Sequence, residues 1–106
     1  MSARPKSHAT GRDGKLPSLP LKKQTWLAIA NSLSLSPQQI RIVELILRGQ
    51  QDKEIAQRLE LSVPTVRTYL GRIYDRVGVS DRLALVLHVF ALAQRRTSSP
   101  ARRQQR

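Results

Sequence analysis

With 106 residues, 40% of them apolar and only four aromatic, the chain can bury one modest core and no second of comparable size. It has no cysteine, and His8 and His88 lie far apart, which excludes a disulfide framework, a thiolate metal site and a zinc site of the usual ligand spacing. Nineteen Lys and Arg against seven Asp and Glu give a formal charge of +12, so the partner to expect is polyanionic: nucleic acid or an anionic membrane surface.

That charge is unevenly placed. Residues 1–24 hold six basic side chains against Asp13, and residues 95–106 hold five with no acid. Both ends are rich in Pro, Ser, Gly or Gln and lack hydrophobic periodicity, so both are expected to be disordered basic tails that add sequence-independent affinity. The N-terminal stretch does not read as a targeting signal, because Pro5, Pro17 and Pro20 interrupt it and no apolar run follows within reach. The longest apolar run, residues 83–93 broken by His88, is about half of the roughly 20 residues a membrane span requires. A soluble protein without a membrane partner is expected.

In chain order, KKQTWLAIANSL comes first, with Trp26, Ala30 and Leu33 at i, i+4 and i+7 and with Leu27 and Ile29 beside them. Two structures stay open over residues 25–33: a short extra helix laid against the domain, or a linker anchored by Trp26. Alone, a helix this short is marginal. LSPQQIRIVELILRG follows with a clear start: Ser36 as N-cap, Pro37 at the first helical position and Gln39 placed to close a capping box. Its buried stripe is Ile40, Val43 and Leu47 with Ile46 alongside, and Gly49 ends it. Arg41, Glu44 and Arg48 are expected at ordinary solvated positions.

The third element, QDKEIAQRLEL, has Ile55, Ala56 and Leu59 as its apolar face and stops near Glu60. Only Glu60, Leu61 and Ser62 separate it from the next helix, so the chain turns sharply, which is the geometry of a helix-turn-helix. Lys53, in the first turn, either reaches a DNA phosphate or is a bystander.

SVPTVRTYLGRIYDRVGV then predicts a helix over residues 63–77, capped by Ser62 and Gly78, with Pro64 in the tolerant first turn. Val66, Leu70, Ile73 and Val77 form one core-facing stripe. Opposite lie Pro64, Thr68, Gly71 and Asp75; Arg67 and Tyr74 border the stripe on one side, and Thr65, Tyr69, Arg72 and Arg76 on the other. The second flank is a row of phosphate-type donors, as on a helix lying in a DNA groove, whereas the plainer alternative is a solvated surface helix. In the last element, VSDRLALVLHVFALAQRR, capped by Ser80 or Asp81, Leu85, Val89 and Leu92 form one apolar stripe and Leu83, Leu87 and Phe90 another. One stripe serves the core. The spare one implies a cover, either a second copy or the Trp26 segment.

LSPQQ at 35–39, Gly49, KEIAQRLELS at 53–62, TVRTYLGRIYDRVGV at 65–79 and Arg82 together resemble the LuxR/FixJ-type, or GerE-type, helix-turn-helix domain of bacterial transcription regulators. The resemblance covers residues 35–92. It implies an all-α fold, a four-helix domain over residues 34–94, with the third helix reading the major groove and the fourth pairing two copies on a palindromic site. Carried over residue by residue, it makes Arg67 and Thr68 the base contacts and sets Thr65, Tyr69, Arg72 and Arg76 along the backbone-contacting flank; Lys53 and Ser62 complete the set of candidate DNA contacts. It also turns Leu83, Leu87 and Phe90 toward a second copy. The physical chemistry agrees for two of them: Arg67 suits guanine O6 and N7, and the Thr68 methyl suits a thymine methyl. The alternative for Arg67 is a surface charge paired with a nearby acid. This chain departs from the family pattern at Gln39, Tyr69, Gly71 and Asp75. Gly71 has nothing to offer a base edge and phosphate repels Asp75, so reading power is reduced and the N-terminal half of the helix is the half expected in the groove.

The expected function is a cytoplasmic, nucleoid-associated regulator of transcription that binds double-stranded DNA as a homodimer. No nucleophile and base, no phosphate-cradling loop and no metal or cofactor constellation suggests catalysis. Residues before Leu35 are too few for the receiver or ligand-binding domain that commonly precedes this module, so regulation is expected by abundance, by a partner chain, or by a domain outside this sequence. Two other functions stay open. One is a sigma-factor-like region acting with RNA polymerase, against which the long apolar helix after Val79 argues; the other is a protein-interaction module whose last helix binds another regulator.

Overall fold

The structure, a computed structural model, describes residues 16–104, with side chains up to residue 96. Among the described residues, five helices and no strand make it all-α: α1 (Lys23–Ser32), α2 (Pro37–Leu47), α3 (Asp52–Leu59), α4 (Val63–Val77) and α5 (Arg82–Gln104).

Local hydrogen bonding sets most of these bounds. Ser36 Oγ accepts from the Gln39 N–H at 3.2 Å while Gln39 Oε1 accepts from the Ser36 N–H at 2.9 Å, closing the capping box that starts α2. Ser62 Oγ accepts from the Thr65 N–H at the start of α4. At α5 it is Asp81, not Ser80, that caps, its Oδ1 accepting from the Ala84 N–H at 2.8 Å. Helices α1 to α4 all stop the same way. Ser34, Gly49, Glu60 and Gly78 take left-handed φ values of 58°, 84°, 59° and 86°. The following N–H then reaches back to a carbonyl five residues earlier: Leu35 to Ala30, Gln50 to Leu45, Leu61 to Ala56 and Val79 to Tyr74. Such closures satisfy carbonyls that a helix end otherwise leaves unpaired. Glycine adopts that φ without penalty at 49 and 78, whereas Ser34 and Glu60 do so at roughly 1 kcal/mol each.

The core sits where all five helices meet. Trp26, Ile29 and Ala30 of α1, Ile42 and Val43 of α2, Ile55 of α3, Val66 and Ile73 of α4, and Leu85 and Val89 of α5 are wholly buried. α1 lies against α5, α3 against α4, and α2 touches both α3 and α4. Between a helix and an anchored linker, the structure holds a helix over the Trp26 segment, starting at Lys23.

Two expectations about the ends give way. The basic tail expected over residues 1–24 lies partly outside the described residues, but from residue 16 onward it is held: Leu16, Leu19 and Leu21 pack on the core, and the Pro17 carbonyl accepts from Arg48 Nη1 at 3.2 Å. Prolines prevent a helix there without preventing leucines from docking. At the other end, α5 continues to Gln104, so the backbone is helical over residues 95–104 where a disordered tail was expected. Once a helix is nucleated each added residue with an N–H gains a bond, and Arg95 and Arg96 are good helix formers; Pro100, which has no N–H to donate, interrupts that gain.

Glu44, expected at a solvated position, is a third correction. Its side chain is 18% exposed and accepts from Trp26 Nε1, Lys23 Nζ and Arg48 Nη2, each at 3.2 Å. The position faces solvent on α2 taken alone; α1 arrives from outside and covers it. Burial pushes the Glu44 carboxyl up, but the Lys23 hydrogen bond and charge, with the Arg48 and Trp26 bonds, outweigh it and hold the group below its ordinary value of 4.5. A carboxyl whose folded value is depressed contributes stability that is present above its ordinary value and lost as pH falls through the lower folded one. The melting temperature is therefore expected to fall as the pH drops below about 4.5, and to fall less in Glu44→Gln, which keeps an acceptor for Trp26 but does not titrate. Equal falls in the two proteins would place the acid sensitivity elsewhere, with Asp52 the next carboxyl to test.

Candidate nucleic-acid interface

Ile55 and Ala56 fix the inner face of α3, and Val66, Leu70 and Ile73 fix that of α4, so the three-residue turn between them leaves the outer face of α4 no freedom to roll. Ala56 is small where the two helices meet, and the Leu61 N–H bond to its carbonyl, at 2.8 Å, ties the turn down. On the outer face Pro64, Thr68, Gly71 and Asp75 are exposed, as the helical stripe predicts. A Cβ added at Gly71 would meet no atom within 4 Å, so the face has a bare patch between Thr68 and Asp75. Thr68 Oγ1 donates to the Pro64 carbonyl at 3.1 Å, which leaves its methyl as the unengaged group.

The two flanks differ. Arg67 Nε donates to Asp52 Oδ2 at 3.2 Å, and Arg82 Nη2 donates to the other oxygen, Oδ1, at 2.8 Å. Pairing with a nearby acid, the alternative for Arg67, is thus realised, yet its side chain remains 68% exposed. The Arg82 hydrogen bond, helped by Arg67 against some burial, holds the Asp52 carboxyl below its ordinary value. Tyr74 lies in the same neighbourhood: burial pushes its phenol up, and the Asp52 and Asp81 charges add to this while Arg82 opposes it. On the other flank Arg72 and Arg76 are exposed and line a shallow hollow with Asp75 and Gln39, the capping residue of α2. Ser62 donates its hydroxyl to Thr65 Oγ1 at 2.9 Å.

Of the eight residues assigned to DNA from sequence, Lys53, Ser62, Thr65, Arg67, Thr68, Arg72 and Arg76 are exposed, on α3, α4 and the turn between them. Tyr69 is half-buried, with its ring packed on the core. Sequence reasoning missed Asp52 and gave Arg82 no role. An acid at the first position of α3 reads as a residue suited to the helix dipole, and nothing local shows that Arg67 folds back onto it.

On α5, Leu85 and Val89 face inward, Leu92 is half-buried, and Leu83 and Leu87 are 66% and 57% exposed. Phe90 is half-buried, beside a hollow it shares with Pro20, Leu21, Lys22 and Thr25. Leu87 lines that same hollow, so the start of α1 and the segment before it face both Leu87 and Phe90, whereas Leu83 lines a separate hollow with Ile46, Gln50 and Val86. Among the described residues no group of side chains could hold a metal ion, and no single helix is long and apolar enough to cross a membrane.

The family model described as bacterial regulatory proteins, luxR family, matches residues 33–89, more than half of the chain. The chain belongs to that family. The match takes in α2, α3, α4 and the first part of α5, whereas α1 precedes it. Among curated relatives, the probable HTH-type transcriptional regulator GfsR of Streptomyces halstedii is 41% identical over 56 residues, which are 53% of this chain and 23% of that protein. The putative HTH-type transcriptional regulator Mb0914c of Mycobacterium bovis is 40% identical over 53 residues, 50% of this chain and 6% of that protein. Response regulator Rre1 of a Synechocystis strain is 33% identical over 54 residues, covering 51% and 23% of the two chains. The similarity thus spans less than a quarter of each of these relatives. No solved structure matches the chain.

Proposed function

We propose that the chain is a DNA-binding regulator of transcription that lays α4 in the major groove and pairs with a second copy through α5. The observation that carries this is the division of α4: Val66 and Ile73 are wholly buried while Arg67, Thr68, Arg72 and Arg76 stand exposed on a helix that the core holds rigid. The luxR-family match and the regulator names of GfsR and Mb0914c support it. Arg67 and Thr68 serve as base contacts, and Lys53, Ser62, Thr65, Tyr69, Arg72 and Arg76 hold the phosphate backbone on either side. Asp75 keeps the C-terminal half of α4 away from phosphate. Leu83 and Leu87, one turn apart on α5, supply the pairing face, with Phe90 at its edge.

Selection on a randomised duplex library tests the reading helix. Arg67→Ala is expected to cost about 1–3 kcal/mol on the preferred site and to relax preference at one base pair per half-site. Arg72→Ala should weaken binding to all sequences alike and flatten the salt dependence by about one unit of slope. If both substitutions act alike across the library, these roles are wrong.

A further inference from the structure

Three helices converge on one carboxylate beside the outer face of α4. Asp52 is the first residue of α3, Arg82 the first of α5, and Arg67 lies in the second turn of α4. The anchor is sheltered and the arginine is not: the Asp52 side chain is 21% exposed and that of Arg67 is 68% exposed. Arg82 takes one carboxylate oxygen at 2.8 Å, and that bond fixes the plane in which the second oxygen is offered to Arg67 Nε, 3.2 Å away. A guanidinium carries five N–H donors, and a bond at Nε leaves those on the two terminal nitrogens for a base. We propose that Asp52 is a positioning residue for base recognition: braced by Arg82, it holds the Arg67 guanidinium in its reading orientation before DNA arrives. The proposal rests on the assignment of Arg67 as a base contact.

Two physical consequences follow. A long, exposed arginine loses rotamer freedom when it docks, and holding it beforehand lowers that loss only for the sequence that accepts the held orientation. At the same time a carboxylate close to the DNA-facing surface opposes phosphate on every sequence. Asp52 therefore lowers general affinity and raises discrimination. A surface ion pair that merely joined helices would do neither; its removal would lower the melting temperature slightly and leave base preference unchanged.

The experiment uses the full chain with the preferred duplex selected from the library and a scrambled duplex of the same length. Asp52→Asn is expected to bind the scrambled duplex more tightly, with a salt slope steeper by about one unit, while the ratio of preferred to scrambled affinity drops roughly three- to tenfold. Added to Arg67→Ala, it should change that ratio no further. Asp52→Glu keeps the charge and moves it by one methylene, so the salt slope should hold while the preference still relaxes; this variant carries the test if Asp52→Asn does not fold. An unchanged or improved ratio in the folded Asp52 variants, alongside a collapsed ratio in Arg67→Ala, overturns the positioning role and leaves Arg67 as the reader. An unchanged ratio in Arg67→Ala removes both.

Discussion

Trp26→Ala is expected to destabilise the protein by about 3–5 kcal/mol, the range for removing a large aromatic side chain from a packed core. Trp26 is wholly buried although it lies before the residues that the family model matches. Its ring joins α1 to a core shared with α5, and its indole N–H bonds to Glu44 of α2 at 3.2 Å. The substitution leaves a cavity and strips one donor from Glu44, although Lys23 and Arg48 still hold that carboxylate. Denaturant unfolding followed by circular dichroism checks it, because the mutant has no tryptophan left to report fluorescence. Leu27→Ala is the control on the same helix: Leu27 is 41% exposed, and its loss should change stability by no more than about 0.5 kcal/mol. If Trp26→Ala costs under about 1 kcal/mol, α1 is an appendage and residues before 33 do not belong to the folding unit.

How much of this fold the sequence revealed depends on the range of the interactions involved. The caps at Ser36 and Ser62 and the stops at Gly49 and Gly78 are settled within a few residues, and each could be named from residue type alone. Ser34 and Glu60 make the same left-handed stop without glycine. Their cue lies one residue later: Leu35 and Leu61 are drawn toward the core, and the closure brings each back onto an alanine, Ala30 or Ala56. The docking of Leu16, Leu19 and Leu21 was hidden for another reason. Prolines alternate with the leucines of that stretch and lysines flank it, while the surface the leucines cover is assembled only by the rest of the fold.

The candidate site divides along the same line. Because Val66, Leu70 and Ile73 had to face inward, the outward set of α4 followed from helical period alone, and it stands where the period puts it. Pairwise contacts between helices did not follow. Asp52 meets Arg67 and Arg82 only after α3, α4 and α5 have packed, and Glu44 meets Trp26 only after α1 has docked. Tyr69 shows the limit of a helical wheel: a bulky ring at the margin of the stripe sinks partly into the core where a smaller polar residue would stay out.

Leu87→Glu is expected to abolish pairing while leaving the fold intact. In the single chain Leu87 is 57% exposed and Leu83, one turn earlier, 66% exposed, so a carboxylate at 87 stays in water and the monomer should melt near the wild-type temperature. In the proposed homodimer the same carboxylate would be buried without a partner charge, at a cost of several kcal/mol to association. Two subunits related by a two-fold axis read half-sites about one helical turn apart, so the mutant should lose tight binding to a full palindrome yet keep weak binding to a half-site. Size-exclusion chromatography and a DNA-shift assay on full and half sites check both parts. Leu87 shares its hollow with Phe90, and Phe90→Ala separates their roles: Phe90 is half-buried and packed on the core, so its loss is expected to lower stability more than pairing. If Leu87→Glu still elutes as a dimer and still binds the palindrome tightly, the pairing surface is not this face of α5.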